Sequence, residues 1–368
     1  MFTELYLGRW DRSRNIENLF KYTQKDYLLS ELAHFLQVAK RDCLADEELK
    51  RIIHAVFEKR RQHVDVDAMI KELCERSPML LVDDRQLYRF KHLSFQEYFA
   101  AKWLSTRGVN DEFLIGHFLD SWWAPVIFFI FGIKKDGGSL FEKLIDKVPS
   151  ESLQNKLSKA RALGMSAQAA YMTEHNMKVD VVRCGVQLVV DSYFELLAYL
   201  RNNQNELNNV PRFILILIFR EIFEESFKST YMLEACKEVF VEEHGKPVPE
   251  EMFDAKHLFL TSYFLANSLR GLDHPEYILM LEGKVPTYDK TLQFLLGFDY
   301  KGLSKSNALL ASQQELYRKA WSKIEKRVRK ASKELLREMD RPAFESEIVS
   351  EKKGERMLLN VDDHLLLP

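Results

Sequence analysis

The chain has 368 residues, 46% of them hydrophobic and 29% charged, and a formal net charge of −2. That length supplies two or three domains with real cores, and the near-neutral balance excludes whole-molecule attraction to a polyanion or a membrane surface. Glycine (14) and proline (10) are scarce while phenylalanine (25) is abundant, which favours long helices with aromatic cores over a turn-rich β architecture.

The four cysteines, Cys43, Cys74, Cys184 and Cys236, form no C-x-x-C pair and fall in segments of helical pattern. There a free cysteine acts as a small buried hydrophobe, and a reducing cytoplasm is the simplest setting. The opening MFTELYLGRWDRSRN has no basic start followed by an apolar run, so it is not a secretory signal. The most apolar windows, Trp122–Ile133 and Phe213–Phe219, are shorter than the ~18 uncharged residues that span a bilayer. A soluble, cytoplasmic protein with no membrane partner is expected.

In chain order, residues 1–25 carry one mixed helix, interrupted by Asp11-Arg12-Ser13-Arg14-Asn15. From Asp26 the helical period is regular through Tyr27, Leu28, Leu32, Phe35 and Leu36, and again through Leu49, Ile52, Ile53, Val56 and Phe57. Asp65 or Asp67 caps a third helix bearing Met69, Ile70, Leu73 and Cys74, which stops at Ser77-Pro78. Met79–Val82, a polar turn at Asp83-Asp84-Arg85-Gln86, and Leu87–His92 read as a β-hairpin, with a helix directly after it. Three helices, a hairpin and a helix predict a winged-helix unit over residues 26–107.

Beyond Gly108 the pattern is helical. Helices are expected at Asp111–Leu119, Trp123–Ile133, Leu140–Lys147, Leu153–Leu163, Ala167–Glu174, Val179–Arg201, Pro211–Phe227 and Met232–Glu243. These make residues 108–243 an all-α array that could stack like a solenoid, though without a clean repeat period. A proline-bearing stretch joins it to a C-terminal helical region, residues 244–340, with a long helix from about Ser304 to Asp340; residues 341–368 read as a polar tail.

The chain carries no G-x-x-x-x-G-K-[ST] phosphate loop, no G-x-G-x-x-G, no HExxH and no calcium loop, so no independent catalysis or metal site is expected. Glu31 with His34, and His54 with Glu58, stand one helical turn apart and read as surface pairs. Arg318, Lys319, Lys323, Lys326, Arg327, Arg329, Lys330 and Lys333 crowd one amphipathic stretch. Arg318–Lys333 is either a docking face for nucleic acid or another polyanion or a packed helix with a charged outer side, since acids return at Glu334, Glu338 and Asp340. Lys21, Lys25 and Lys59-Arg60-Arg61 are weaker basic features. The third helix of the winged unit, with Asp65, Asp67, Glu72 and Glu75, is too acidic to read a DNA groove.

At the hairpin-to-helix junction stands FKHLSFQEYFAA, Phe90–Ala101. Ser94 and Glu97 have the spacing of a capping box, with Leu93 and Tyr98 as its hydrophobic staple. Phe95, Tyr98, Phe99 and Trp103 give the helix an aromatic face against the core. The pattern leaves His92 between two roles: a structural histidine satisfied by hydrogen bonds, or a group facing an anion at a helix N-terminus.

This stretch resembles the F-x-H-x-S-F-Q-E-[FY]-x-A-A motif that closes the winged-helix domain of NACHT-type signalling NTPases of the STAND class. Phe90, His92, Ser94, Phe95, Gln96, Glu97, Tyr98, Ala100 and Ala101 match it. Leu5-Tyr6, Arg9-Trp10 and Arg12 resemble the segment leading from the NTPase core into that domain, so the likeness covers about Phe2 to Trp103. The resemblance implies that His92 contacts the β-phosphate of ADP as a nucleotide sensor. It implies ADP or ATP with Mg²⁺ in an NTPase core that would precede Met1, in the same gene product or a partner. It further implies a helical region that recognises a protein trigger, homo-oligomerisation on activation, and a setting such as antiviral (anti-phage) defence. A stand-alone adaptor binding nucleic acid through Arg318–Lys333, and a purely structural helical scaffold, are the rival readings.

Overall fold

The computed structural model describes residues 19–76, 78–202, 212–227 and 229–245, with positions 326 and 330. Among these residues the chain is mainly α, with eleven α-helices and one three-stranded antiparallel sheet. They form two compact units, residues 19–148 with 162–181, and residues 149–161 with 182–245.

The first unit starts with α1 (Tyr22–Val38). It begins four residues ahead of the expected Asp26, because the Gln24 side chain accepts from the Lys21 backbone N–H at 3.0 Å and closes the first turn. Lys40 ends it in the left-handed region (φ 51°), and the Arg41 N–H returns to the Leu36 carbonyl at 2.9 Å. Strand β1 (Cys43–Ala45) follows, an element absent from the sequence reading. Cys43 therefore lies in a strand, not a helix; three residues are too few to show a period of two. Helix α2 (Asp46–Glu58) opens on three acids at its positive dipole end, Asp46, Glu47 and Glu48.

Helix α3 (Val66–Lys71) is capped by Asp65, whose carboxylate accepts from Ala68 N–H at 3.0 Å. It continues as a π-helical turn, Glu72–Arg76, that holds Cys74. Glu72 is buried there: its Oε1 lies 2.9 Å from Lys25 Nζ, both side chains at or below 1% exposure, and its Oε2 accepts from Leu19 N–H at 2.8 Å. Lys25 is thus a core residue of α1 and not part of a basic surface.

The expected hairpin is present as β2 (Leu80–Val82) and β3 (Leu87–Phe90). Asp83 shapes its turn, with Oδ1 accepting from the N–H groups of Arg85 and Leu87 and Oδ2 from Arg89. The central strand is β3: Leu80 pairs with Phe90 and Val82 with Tyr88 on one side, and Cys43 with Arg89 and Ala45 with Leu87 on the other.

Helix α4 (Leu93–Arg107) leaves β3 and packs between α1 and α6 (Ala124–Lys134). Its buried stripe is Gln96, Phe99, Ala100 and Leu104, while Phe95, Tyr98 and Trp103 are only half-buried. The aromatic face expected there is therefore split, with Ala100 and Ala101 fully buried where the half-exposed rings are not. Gly108 ends α4 at φ 79°, and Asn110 caps α5 (Asp111–His117) by accepting from Phe113 N–H. Helix α7 (Gly138–Lys147) stacks Phe141 on Phe131 of α6, ring centroids 4.8 Å apart.

Helix α8 (Leu153–Ala169) runs through Gly164 without the break expected between Leu163 and Ala167. The helix expected at Ala167–Glu174 ends at Ala169 instead, since Met172 N–H and the Thr173 hydroxyl oxygen pair with Lys135 carbonyl and Gly137 N–H. Helix α9 (His175–Asn202) starts four residues ahead of the expected Val179.

In the second unit, α9 meets α10 (Arg212–Phe227) and α11 (Leu233–Gly245). The Phe227 ring lies over Gly185, where a Cβ would come within 2.5 Å of it. Phe223 stacks on Phe227, and Arg183 pairs with Glu242 at 2.8 Å. Among the described residues no helix is long and apolar enough to cross a membrane. Expected elements in residues 1–18, 246–325 and 331–368 lie outside the described residues.

Breaking a buried pair strands a charge, whereas removing both partners does not. Lys25→Met should therefore lower stability by about 3–5 kcal/mol, and Lys25→Met with Glu72→Leu should recover most of that loss. Urea unfolding of both variants measures it; a double variant no more stable than the single one would contradict this account of the pair.

Candidate functional site

His92 occupies the N-cap position of α4, with extended backbone (φ −137°, ψ 142°). The ladder carries one step past β3, Lys91 N–H donating to Met79 carbonyl at 2.8 Å, and fixes the approach to that cap. The His92 carbonyl accepts from Phe95 N–H at 2.9 Å, and its ring, 5.7 Å from that of Phe95, is exposed. No side chain caps the helix. The expected capping box is therefore not formed: the helix starts at Leu93, so Ser94 lies inside its first turn. The staple fails with it, because Leu93 is 45% exposed. Burial raises the Glu97 pKa above the usual carboxylate range. The result is an exposed imidazole beside an open helix N-terminus, where the positive dipole end and the N–H groups of the first turn favour an anion.

Behind this junction the Gln96 amide is fully buried. Its Nε2 donates to Arg41 carbonyl at 3.0 Å and to Gln37 Oε1 at 3.3 Å, and its Oε1 is buried without a hydrogen-bond partner. Gln37, 1% exposed, donates in turn to the Trp122 carbonyl at 2.8 Å, and the Trp122 indole donates back to the Gln37 carbonyl at 2.8 Å. The sequence reading missed this cluster. Gln96 stands at a core position of the helical period, and a polar residue in an apolar stripe was the one available signal.

The far end of α4 is tied down by charge and aromatic contacts. Lys102 pairs with Asp26 at 2.6 Å. Trp103 Nε1 donates to Glu31 Oε2 at 2.9 Å, and Arg107 donates to Glu31 Oε1 at 2.5 Å and lies over the Trp103 ring. Arg60, at the end of α2, covers the Tyr27 ring and donates to its hydroxyl. Burial and the Arg107 guanidinium lower the Arg60 pKa from its ordinary value. His34 stacks flat on Trp103, centroids 3.5 Å apart, and burial lowers its pKa to about 4. Glu31 and His34 are thus not the surface pair expected of them. His54 and Glu58 are, at 3.3 Å and exposed.

Of the basic stretch Arg318–Lys333, Lys326 and Lys330 are described, both helical and exposed; the others lie outside the described residues, as do Leu5, Tyr6, Arg9, Trp10 and Arg12. Among the described residues no group of three or more His, Cys, Asp or Glu side chains could hold a metal ion. Comparison with family models, with curated proteins and with solved structures gives no match for this chain.

His34 carries a pH signature. Its folded pKa of about 4 lies below the ordinary 6.5, so the unfolded chain binds the proton more tightly. Stability is whole above pH 6.5 and falls as the pH drops from there towards 4. The loss attributable to His34 is roughly 3 kcal/mol. His34→Phe, which keeps a ring on Trp103, should flatten that part of the profile. Unfolding midpoints of both proteins measure it, and equal slopes would contradict the assignment.

Proposed function

We propose that the first unit is a winged-helix regulatory domain of a NACHT-like signalling NTPase and that His92 is its nucleotide sensor. The element order α1-β1-α2-α3-β2-β3-α4, with β3 central in the sheet, supports the winged-helix reading, with β2–β3 as the wing. The observation that carries the sensor reading is the exposed imidazole of His92 at the open N-terminus of α4. That place suits a phosphate oxygen, which the ring can meet with one N–H while the dipole end of α4 adds its field.

The His92 ring and the first-turn N–H groups not taken by the His92 carbonyl would meet one edge of an ADP phosphate and no more. The chain carries no phosphate loop, so the nucleotide's cradle and its Mg²⁺ belong to an NTPase core, on this polypeptide or a partner. In this reading the core does the phosphate chemistry, and α4 with His92 holds the closed, ADP-bound state. A protein trigger captured by the helices beyond Gly108 shifts the population to an open state able to oligomerise. Such a switch serves signal transduction, as in antiviral defence.

In the assembly with its NTPase core, His92→Ala should release ADP about ten- to a hundredfold faster, the worth of one hydrogen bond to a charged group, and raise basal activation. Nucleotide content after purification measures it; unchanged ADP retention would overturn the sensor role.

A second reading is an adaptor that binds nucleic acid through Arg318–Lys333, with which the exposure of Lys326 and Lys330 on helical backbone is compatible. Binding of mixed DNA or RNA should then weaken steeply with salt. Reversing the charges of Lys326, Arg327 and Lys330 should abolish it, and retained binding would discard this reading.

A further inference from the structure

A chain of polar contacts, buried at Gln96 and Gln37 and part-buried at Trp122, runs from the first turn of α4 to the turn that precedes α6. It comprises Gln96, Gln37 and Trp122, residues 59 and 85 positions apart along their two links, so no local rule of helix or turn places them together. Gln96 lies four residues after His92, a little over one helical turn. Trp122 sits in a turn pinned by Asp120, whose Oδ1 accepts from Trp122 N–H at 2.9 Å and whose carbonyl accepts from the N–H groups of Trp123 and Ala124. Gln37 is held twice by Trp122, through its side-chain amide and through its own carbonyl.

The two ends of this chain differ. At Trp122 both hydrogen bonds are 2.8 Å. At Gln96 the link to Gln37 is 3.3 Å, and Oε1 is buried with no partner. The two amides satisfy the Arg41 and Trp122 carbonyls, but they leave Gln96 Oε1 as a stranded acceptor, which is costly in a core. An amide network satisfied at one end and short of a donor at the other is sensitive to small displacements. Moving the Trp122 turn moves the Gln37 amide, and Gln96 must follow or lose its remaining side-chain partner.

We propose that Gln96 is a positioning residue for His92, and that Gln37 relays to it the placement of the turn ahead of α6. The helices beyond Gly108 thereby act on the N-terminus of α4 through hydrogen bonds, in addition to the direct packing of α6 on α4 shown by Tyr98 and Phe129. The functional meaning rests on the reading of His92 as a sensor; the coupling itself does not.

The test uses the full chain and no nucleotide. Gln96→Met should shift the indole N–H resonance of Trp122 and speed its solvent exchange at least tenfold. Trp122→Phe should move the imidazole C–H resonances of His92. In neither case is the replaced side chain hydrogen-bonded to or stacked on the observed one. Ile53→Val, at a buried position of α2 that makes none of these hydrogen bonds, should lower the unfolding midpoint while leaving both signals in place. If Gln96→Met does not fold, the Trp122→Phe measurement decides alone. Unmoved signals, or equal shifts in Ile53→Val, would overturn the relay. Either result leaves ADP retention in His92→Ala to judge the sensor reading separately.

Discussion

A lysine and a glutamate with almost no exposure, Lys25 and Glu72, set the frame of the first unit. Removing two charges from water costs several kcal/mol per ion, and the cost is tolerable only with the partner in place. Helix α1 therefore has one placement against the π-helical end of α3. The same carboxylate takes the Leu19 N–H, so the backbone leading into α1 is fixed by the same group. Sliding a hydrophobic pair leaves it buried, whereas sliding this pair strands a buried charge.

From that anchor α1 acts as a polar spine. Asp26 meets Lys102, Glu31 meets Trp103 and Arg107, and Gln37 meets Gln96 and Trp122. Four of these contacts fall on α4, at Gln96 near its start, Lys102 and Trp103 past its middle and Arg107 at its end, while Phe99 and Ala100 supply apolar packing between them. The C-terminal end of α4 is closed by guanidinium–aromatic stacking and a shared carboxylate. Its N-terminal end is left open, with His92 exposed. That asymmetry suits a rigid element read at one end and held at the other, which is the role the proposed switch gives it.

Much of this unit was legible along the chain. The apolar periods of α2 and α3, the Asp65 cap and the Asp83 turn of the hairpin are local, and local rules find them. Strand β1 was not legible, because three residues become a strand only once β3 is alongside. Nor was the π-helical turn, which shows in sequence only as an acid at an apolar position. The capping box at Ser94 failed for a related reason. The Lys91–Met79 bond carries the ladder one residue past β3, so the helix can begin at Leu93 before Ser94 has any chance to cap it. Glu31 and His34 had helical spacing, but their partners arrive from α4 some seventy residues later.

The sequence by itself determined the mainly helical class, the hairpin, and the presence of a histidine where a strand passes into a helix, because periodicity, turn chemistry and chain order are properties of neighbours. Tertiary structure alone decided that Lys25 is core and not surface, that Glu31 serves the Trp103 and Arg107 side chains of α4, and that the amide of Gln96 faces Gln37 and not solvent. It also left the end of α4 uncapped with His92 exposed. These outcomes depend on which groups lose water together, and that is settled only when segments distant in the chain are packed.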